Sequence, residues 1–229
     1  WTYSTNAILC AMDYARFHGY REIPTTSFSI PEIMAEANIC DESISYDDNG
    51  ENKSEPRYEC NGAFKLNGSS PDTLNAIMKS CAGRVLVSGA YLHLRAGAYS
   101  GPAMMTLTDA DASDIITFDP HPPLNKRVRR VNASIVNSRK NYIKAEVRPI
   151  IDGSDTSGMK LEAKLSFLFV RSESQAMRLM NQHMARTNAA STMLFPTRNK
   201  GFLALCGKSV LVDIPRRGIN KEFIVERWE

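Results

Sequence analysis

Long apolar runs are missing from this 229-residue chain. No stretch of about 18 apolar residues occurs, so the sequence supplies no membrane-spanning helix. Cysteines are few and scattered: Cys10, Cys40, Cys60, Cys81 and Cys206. Their number is odd and no two have CxxC spacing. That argues against a disulfide framework or a zinc site, and predicts small buried hydrophobes in a reducing compartment. Catalytic signatures are absent too. There is no Walker loop, no GxGxxG, no HExxH and no GxSxG. His18, His93, His121 and His183 stand without metal spacing, and His93 alternates with Leu92 and Leu94 as a solvated or packed strand residue. Asp47, Asp48 and Glu51 do not follow the order of an EF-hand loop and predict a solvated turn. No basic leader precedes the first helix, so no signal peptide is expected. Trp1 and the Trp228-Glu229 end read as the limits of a piece of a longer polypeptide. The composition is that of a soluble globular protein. We nominate no catalytic, cofactor-binding or metal residue; the expectation is a non-enzyme with no cofactor and no small-molecule substrate.

What is present is organised around residues 161–214. Leu161, Ala163, Leu165, Phe167 and Phe169 alternate with other residues, which is strand spacing. A helix over 172–191 follows. Ser172 is its N-cap, and Ala176, Met177, Met180 and Met184 form an apolar stripe. Arg178, Asn181, Gln182 and Arg186 fall on the other face. Strands return after it, with Gly207 and Gly218 at turns.

Upstream, a helix is predicted near 4–18, capped by Ser4 or Thr5. A second spans 30–41, with Ser29 and Glu32 as a capping box and Pro31 in the first turn. Glu32 and Glu36 lie one turn apart and read as a solvent face. Residues 42–56 form an exposed loop or hairpin tip, 57–66 a strand, and 71–82 a third helix closed by Gly83 at C′. Residues 84–96 form a hairpin turning at Ser88-Gly89, and a further hairpin turns at 138–141. The Pro-rich 119–123 stretch marks a boundary. The fold class is α+β: a small helix-containing α+β domain over 1–118, then a mainly β domain over 119–229 interrupted by the amphipathic helix.

Charge is unevenly spread. Residues 1–115 hold eight Lys/Arg and fifteen Asp/Glu, while residues 116–229 hold twenty and ten. Opposite signs suit complementary faces or different neighbours, and also simple solvated surfaces. Lys126, Arg127, Arg129 and Arg130 cluster, with Arg139 and Lys140 at a hairpin tip. Such a patch can hold phosphates, but no aromatics interleave with it as a stacking platform. An acidic protein neighbour, including another copy of the first half, fits it as well.

The order of motifs resembles the central part of the phage tail-tip attachment, or baseplate hub, proteins of long-tailed phages and prophages. WTYSTNAILCAMDYARFHGY is similar to that family's Trp-rich first helix. IPEIMAEANICDE resembles its helix ending in Cys-Asp-Glu. RYECNGAFKLNGSSPDTLNAIMKSCAGRVLVSGAYLHLRAGAY resembles its strand–helix–hairpin core. ESQAMRLMNQHM and LCGKSVLVD resemble its Gln-Ala helix and a late strand. Lys208 departs from the pattern, standing where the family usually has Asp after Gly207. The resemblance implies a structural virion component. It would form part of the hub that closes the tail tube and links it to host-attachment parts. It also implies a homotrimer contacting other tail-tip proteins, assembled in the bacterial host cytoplasm and resident in the virion tail. Residues 119–229 would then be a barrel-like tube-type domain and residues 1–118 the outer one. The alternative is a nucleic-acid-binding or membrane-surface module using the basic second half.

Overall fold

The structure, a computed structural model, describes residues 3–19, 22–48, 50–65, 68–88, 90–98, 102–121, 127–137, 141–153, 161–188, 191–205 and 207–226. Among them the helices are α1 (Ala7–Phe17), α2 (Ile30–Asp41), α3 (Ser70–Lys79) and α4 (Glu173–Asn188). The strands are β1 (Ser43–Asp48), β2 (Glu51–Pro56), β3 (Arg84–Ser88), β4 (Tyr91–Arg95), β5 (Thr106–Thr108), β6 (Thr117–Asp119), β7 (Arg130–Asn137), β8 (Ile143–Ile151), β9 (Glu162–Phe167), β10 (Thr192–Leu194), β11 (Ser209–Ile214) and β12 (Ile219–Ile224). The fold is α+β. The strands fall into five sheets of two or three, and no closed barrel forms among the described residues.

Two units interleave along the chain. The larger is Trp1–Gly97 with Pro123–Asn188; the smaller is Ala98–Pro122 with Ala189–Glu229. The sequence predicted one break at 118/119. A break at that point would cut through β6 and separate β5 from its partner β11.

In the larger unit, β7 lies between β8 and β9, antiparallel to the first and parallel to the second. Val131, Ala133 and Ile135 of β7 are buried, while Asn132 and Ser134 between them are only partly covered. That period of two gives the sheet one apolar face. α4 packs on this sheet and buries Ala176, Leu179 and Met180. Ser172 caps it, accepting from Gln175 N at 3.4 Å.

α1 packs on α2 and α3 through Ala7, Ile8, Ala11, Tyr14 and Ala15. Its cap is Asn6, not Ser4 or Thr5. Asn6 Oδ1 accepts from Ile8 N at 3.1 Å and Leu9 N at 3.3 Å, while its Nδ2 donates to Ala37 O at 2.9 Å. One buried amide therefore starts α1 and ties it to α2, which a hydroxyl is too short to do. α2 spans the predicted range, but Ser29 makes no side-chain capping bond. Glu32 turns toward β4 instead.

α3 ends through a left-handed Ala82 (φ 48°) rather than a left-handed glycine. Gly83 is required for another reason: a Cβ there would lie 2.5 Å from Arg95 O. Of the predicted strand 57–66, residue 66 lies outside the described residues; among the described ones, 57–65, the pairing is an isolated bridge between Glu59 and Asn6. Their main-chain donors go to scattered partners: Tyr58 N to Cys40 O, Cys60 N to Thr5 O and Asn61 N to Phe169 O. Among the described residues no single neighbouring strand pairs with them.

In the smaller unit, β11 pairs antiparallel with β12 and parallel with β5, and β6 pairs with β10. Its own core comprises Leu107, Ile116, Ala204, Val210, Val212, Ile214 and Ile219. Gly218, at φ 63°, turns the chain into β12.

Candidate functional site

Two buried polar networks lie in the larger unit, and neither has the form the sequence suggested. The first joins α2 to β4. Glu36, expected on a solvent face, has a side chain only 4% accessible. Its Oε1 accepts from Arg95 Nη1 at 2.8 Å and its Oε2 from Ala96 N at 2.9 Å. Glu32, one turn earlier, lies 2.8 Å from His93 Nδ1 and 3.2 Å from Arg95 Nη2. The spacing of the two glutamates puts both carboxylates on one face of α2, and the strand alternation puts His93 and Arg95 on one face of β4. The four charged or polar heads meet there because each offsets the cost of burying the other.

The second network runs along α4. Gln175, Arg178, Gln182 and Arg186 form one stripe at helical spacing. Gln175 is almost wholly buried, and its Nε2 donates to Glu59 O and Ser80 O, both at 2.8 Å. Arg178 donates to Ser174 Oγ, Glu55 Oε1 and Arg57 O at 2.8–2.9 Å. Gln182 Nε2 donates to Tyr58 Oη at 2.6 Å and Gly97 O at 2.9 Å, and Arg186 to Ala82 O at 2.8 Å. The helix face expected to meet water therefore covers the irregular 57–60, 80–82 and 97 segments. It supplies donors to carbonyls that no ladder satisfies. Burial pushes the Tyr58 hydroxyl above its ordinary range, with the Gln182 bond opposing it. Burial also holds His183 below the usual histidine value, with the nearby Arg186 charge acting in the same direction.

These networks fix chain segments to one another. Most of their donors end on main-chain carbonyl oxygens, and Glu36–Arg95 and Glu55–Arg178 pair charge with charge. An open cleft of 460 Å³, lined by Asp72, Asn75, Met78, Lys79, Ser166 and Leu168, brings one carboxylate and one ammonium to the surface.

Of the basic cluster, Arg127 and Arg129 are half-buried and Arg130 is exposed. Arg130 is bonded along its own sheet face, to Asn132 Oδ1 at 3.1 Å and near Glu162 at 3.8 Å. Val128 beside it is clasped by Asn188, which accepts from its N and donates to its O. Arg127 is half-buried, while Lys126, Arg139 and Lys140 lie outside the described residues. The acidic hairpin tip is bonded internally: Asp47 accepts from Gly50 N, and Lys53 pairs with Asp48 and Glu51. His18 packs against Tyr14 and Phe64. Among the described residues no group of His, Cys, Asp and Glu is placed to hold a metal.

In the smaller unit Asp109 pairs with Arg216, and Asp111 Oδ2 accepts from Lys200 Nζ at 2.7 Å and Thr108 N at 2.9 Å. The Lys200 bond, with those from Thr108, holds the Asp111 carboxyl below its ordinary range. At Lys208 the backbone carries the turn, donating to Leu205 O and accepting from Val225 N. Gly207 beside it supplies φ 81°.

No family model matches the sequence, and no curated protein matches it. Solved structures do. The chain is similar to a protein in the virion of a native gene transfer agent particle, with TM-score 0.59, 15% identity, 75% of this chain and 39% of that chain covered. It is also similar to the tail protein from Neisseria meningitidis MC58, with TM-score 0.48, 14% identity and coverage of 69% and 49%. A 43 kDa tail protein of prophage MuSo2 from Shewanella oneidensis matches at TM-score 0.40 and 12% identity, with coverage of 70% and 48%. The chain thus spans about half the length of these two tail proteins and less than half of the virion protein. At such identities the likeness is one of fold, and the gene transfer agent protein carries it.

Proposed function

We propose that this chain is a structural, non-catalytic segment of a phage or prophage tail, within the baseplate hub of the tail tip. There it closes the tail tube and links it to host-attachment parts. The observation that carries this reading is the fold shared with a gene transfer agent virion protein over three quarters of the chain. The internal use of the buried polar groups supports it, since they hold segments together. The chain acts as a homotrimer among other tail-tip proteins, assembled in the host cytoplasm and carried in the virion tail. The barrel-like character expected for 119–229 arises between copies, through β8 and β9, which are the edge strands of their sheet among the described residues.

Two measurements test this. Light scattering of the chain at rising concentration is expected to reach a trimer mass; a monomer throughout overturns the trimer. Immunogold labelling of particles induced from the strain carrying the gene is expected at the tail tip. Label on the capsid, or none on intact particles, overturns the tail assignment. Salt-dependent retention on DNA would move the reading to the nucleic-acid module.

A further inference from the structure

The central strand β7 fixes which main-chain groups of β8 and β9 point away from their sheet. Along a strand the N–H and C=O of successive residues turn to alternate sides. Arg130 N donates to Leu161 O and Val136 N to Val170 O, both at 3.2 Å, so the even-numbered residues of β7 face β9. Asp152 N donates to Arg129 O at 2.8 Å, so the odd-numbered ones face β8. Ala145 and Val147, paired with Ile135 and Ala133, therefore face inward on β8. Lys144, Glu146 and Arg148 turn their main-chain groups outward. By the same alternation Ala163 and Leu165 of β9 face β7, and Glu162, Lys164 and Ser166 turn outward. The side chains of all six outward residues are exposed.

β8 runs antiparallel to β7 and β9 parallel to it, so the two edges run in opposite directions. Copies turned about a common axis, each sheet continuing the last, keep these directions. The β9 edge of one copy then meets the β8 edge of the next as an antiparallel pair. Outward residues must stand opposite outward residues, which leaves alignments that differ by two residues. With Glu146 opposite Lys164, Arg148 stands opposite Glu162 and Lys144 opposite Ser166. Moved two residues one way, Lys144 meets Lys164 and Glu146 meets Glu162. Moved two the other way, Arg148 meets Lys164. Like charges directly opposite are destabilising, so charge selects the first alignment. The other face matches as well. Ile143, Ala145 and Val147 stand opposite Phe167, Leu165 and Ala163, so the apolar face of one sheet runs on into the next. Ile143, exposed in the single chain, is covered there.

We propose that copies of this chain join edge to edge, β9 of one against β8 of the next, with Glu146 opposite Lys164 and Arg148 opposite Glu162. Each copy offers both edges, so the contact is head-to-tail and closes as a ring. This rests on the homotrimer reading above and adds which strands meet, in which direction and through which residues.

The test is a cross-link between copies in the full chain. Lys144→Cys with Ser166→Cys keeps both charge pairs and sets two thiols opposite each other. Within one copy β7 holds these positions at least about 9.6 Å apart, beyond the reach of a disulfide. Mild oxidation is expected to give dimers and trimers on a non-reducing gel, with a 144–166 linked peptide by mass spectrometry. Lys144→Cys with Lys164→Cys, two residues out of alignment, is expected to give no such link. Glu146→Lys should weaken association by about tenfold, and adding Lys164→Glu should restore it. A wild-type trimer whose 144/166 pair links no better than the 144/164 pair, or whose association ignores Glu146→Lys, overturns this contact and leaves the tail assignment standing. A wild-type monomer at every concentration overturns the contact and the trimer together. The charge swap and its rescue decide the matter if a cysteine variant fails to fold.

Discussion

Replacing Glu36 by methionine removes the central carboxylate of the α2–β4 network while keeping an apolar side chain of similar size. Arg95 then stays buried, its side chain 8% accessible, with only the more distant Glu32 at 3.2 Å to offset its charge. Ala96 N loses its acceptor as well. Breaking one partner of a buried ion pair costs about 3–5 kcal/mol. Glu32 compensates in part, so the lower end, about 3 kcal/mol, is expected. Arg95→Met strands the Glu36 carboxylate and should cost a similar amount. The double variant removes both charges and leaves only Ala96 N unsatisfied, a penalty of about 1–3 kcal/mol. Glu32 still keeps His93 at 2.8 Å. The double variant should therefore be much closer to wild type than the two single losses added together. Urea unfolding followed by circular dichroism measures all four proteins, and an unchanged m-value shows that the compared states are the same. Additive losses, or a Glu36→Met variant within about 1 kcal/mol of wild type, would refute the claim that this pair is mutually dependent.

Gln175→Met should cost about 2–4 kcal/mol in the same assay, because two buried carbonyls lose their donor while volume is kept; a neutral result would mean that water reaches them. Gly83→Ala should destabilise by about 1–3 kcal/mol through the clash with Arg95 O, whereas relief of chain entropy alone would make the substitution stabilising by about 0.4–1 kcal/mol. His183 is held below its ordinary value in the folded chain, so the unfolded chain binds its proton first and stability falls as pH drops below about 6.5. His183→Gln should flatten stability between about pH 7 and pH 5, and an unchanged pH profile would exclude the histidine as its source.

Periodicity made the elements legible and left their partners hidden. Pro31 and the Ile33–Ala37–Cys40 stripe locate α2, and alternation locates β7 and β8. The same patterns assign Glu36, Arg178, Gln182 and Arg186 to water, because a polar residue off the apolar stripe reads alike whether it meets solvent or a carbonyl from a distant segment. Glu36 finds Arg95, and Gln182 finds Gly97, across sequence separations that no local window spans. Residues 57–66 carry strand-like composition, yet their donors go to Cys40, Thr5 and Phe169, which only the tertiary fold brings near. The cap at Asn6 was missed for the same reason, since its second bond is to Ala37. The basic run was readable as charge, but the tying of Val128 by Asn188 and of Arg130 to its own sheet face was not.

The interleaving of the two units has a consequence in time. β5 and β6 leave the ribosome long before the strands that complete their sheets, since their partners β11 and β10 lie beyond all of β7, β8, β9 and α4. At about 5–20 residues per second, the roughly 100 residues from β5 to β11 take about 5–20 s to appear. During that interval the larger unit has all its segments once α4 emerges, while the smaller one is half a sheet whose edge has nothing native to join. Nascent chains of this protein are thus most exposed to mispairing between residues 106 and 119, and a chaperone acting on them has that window in which to shield it.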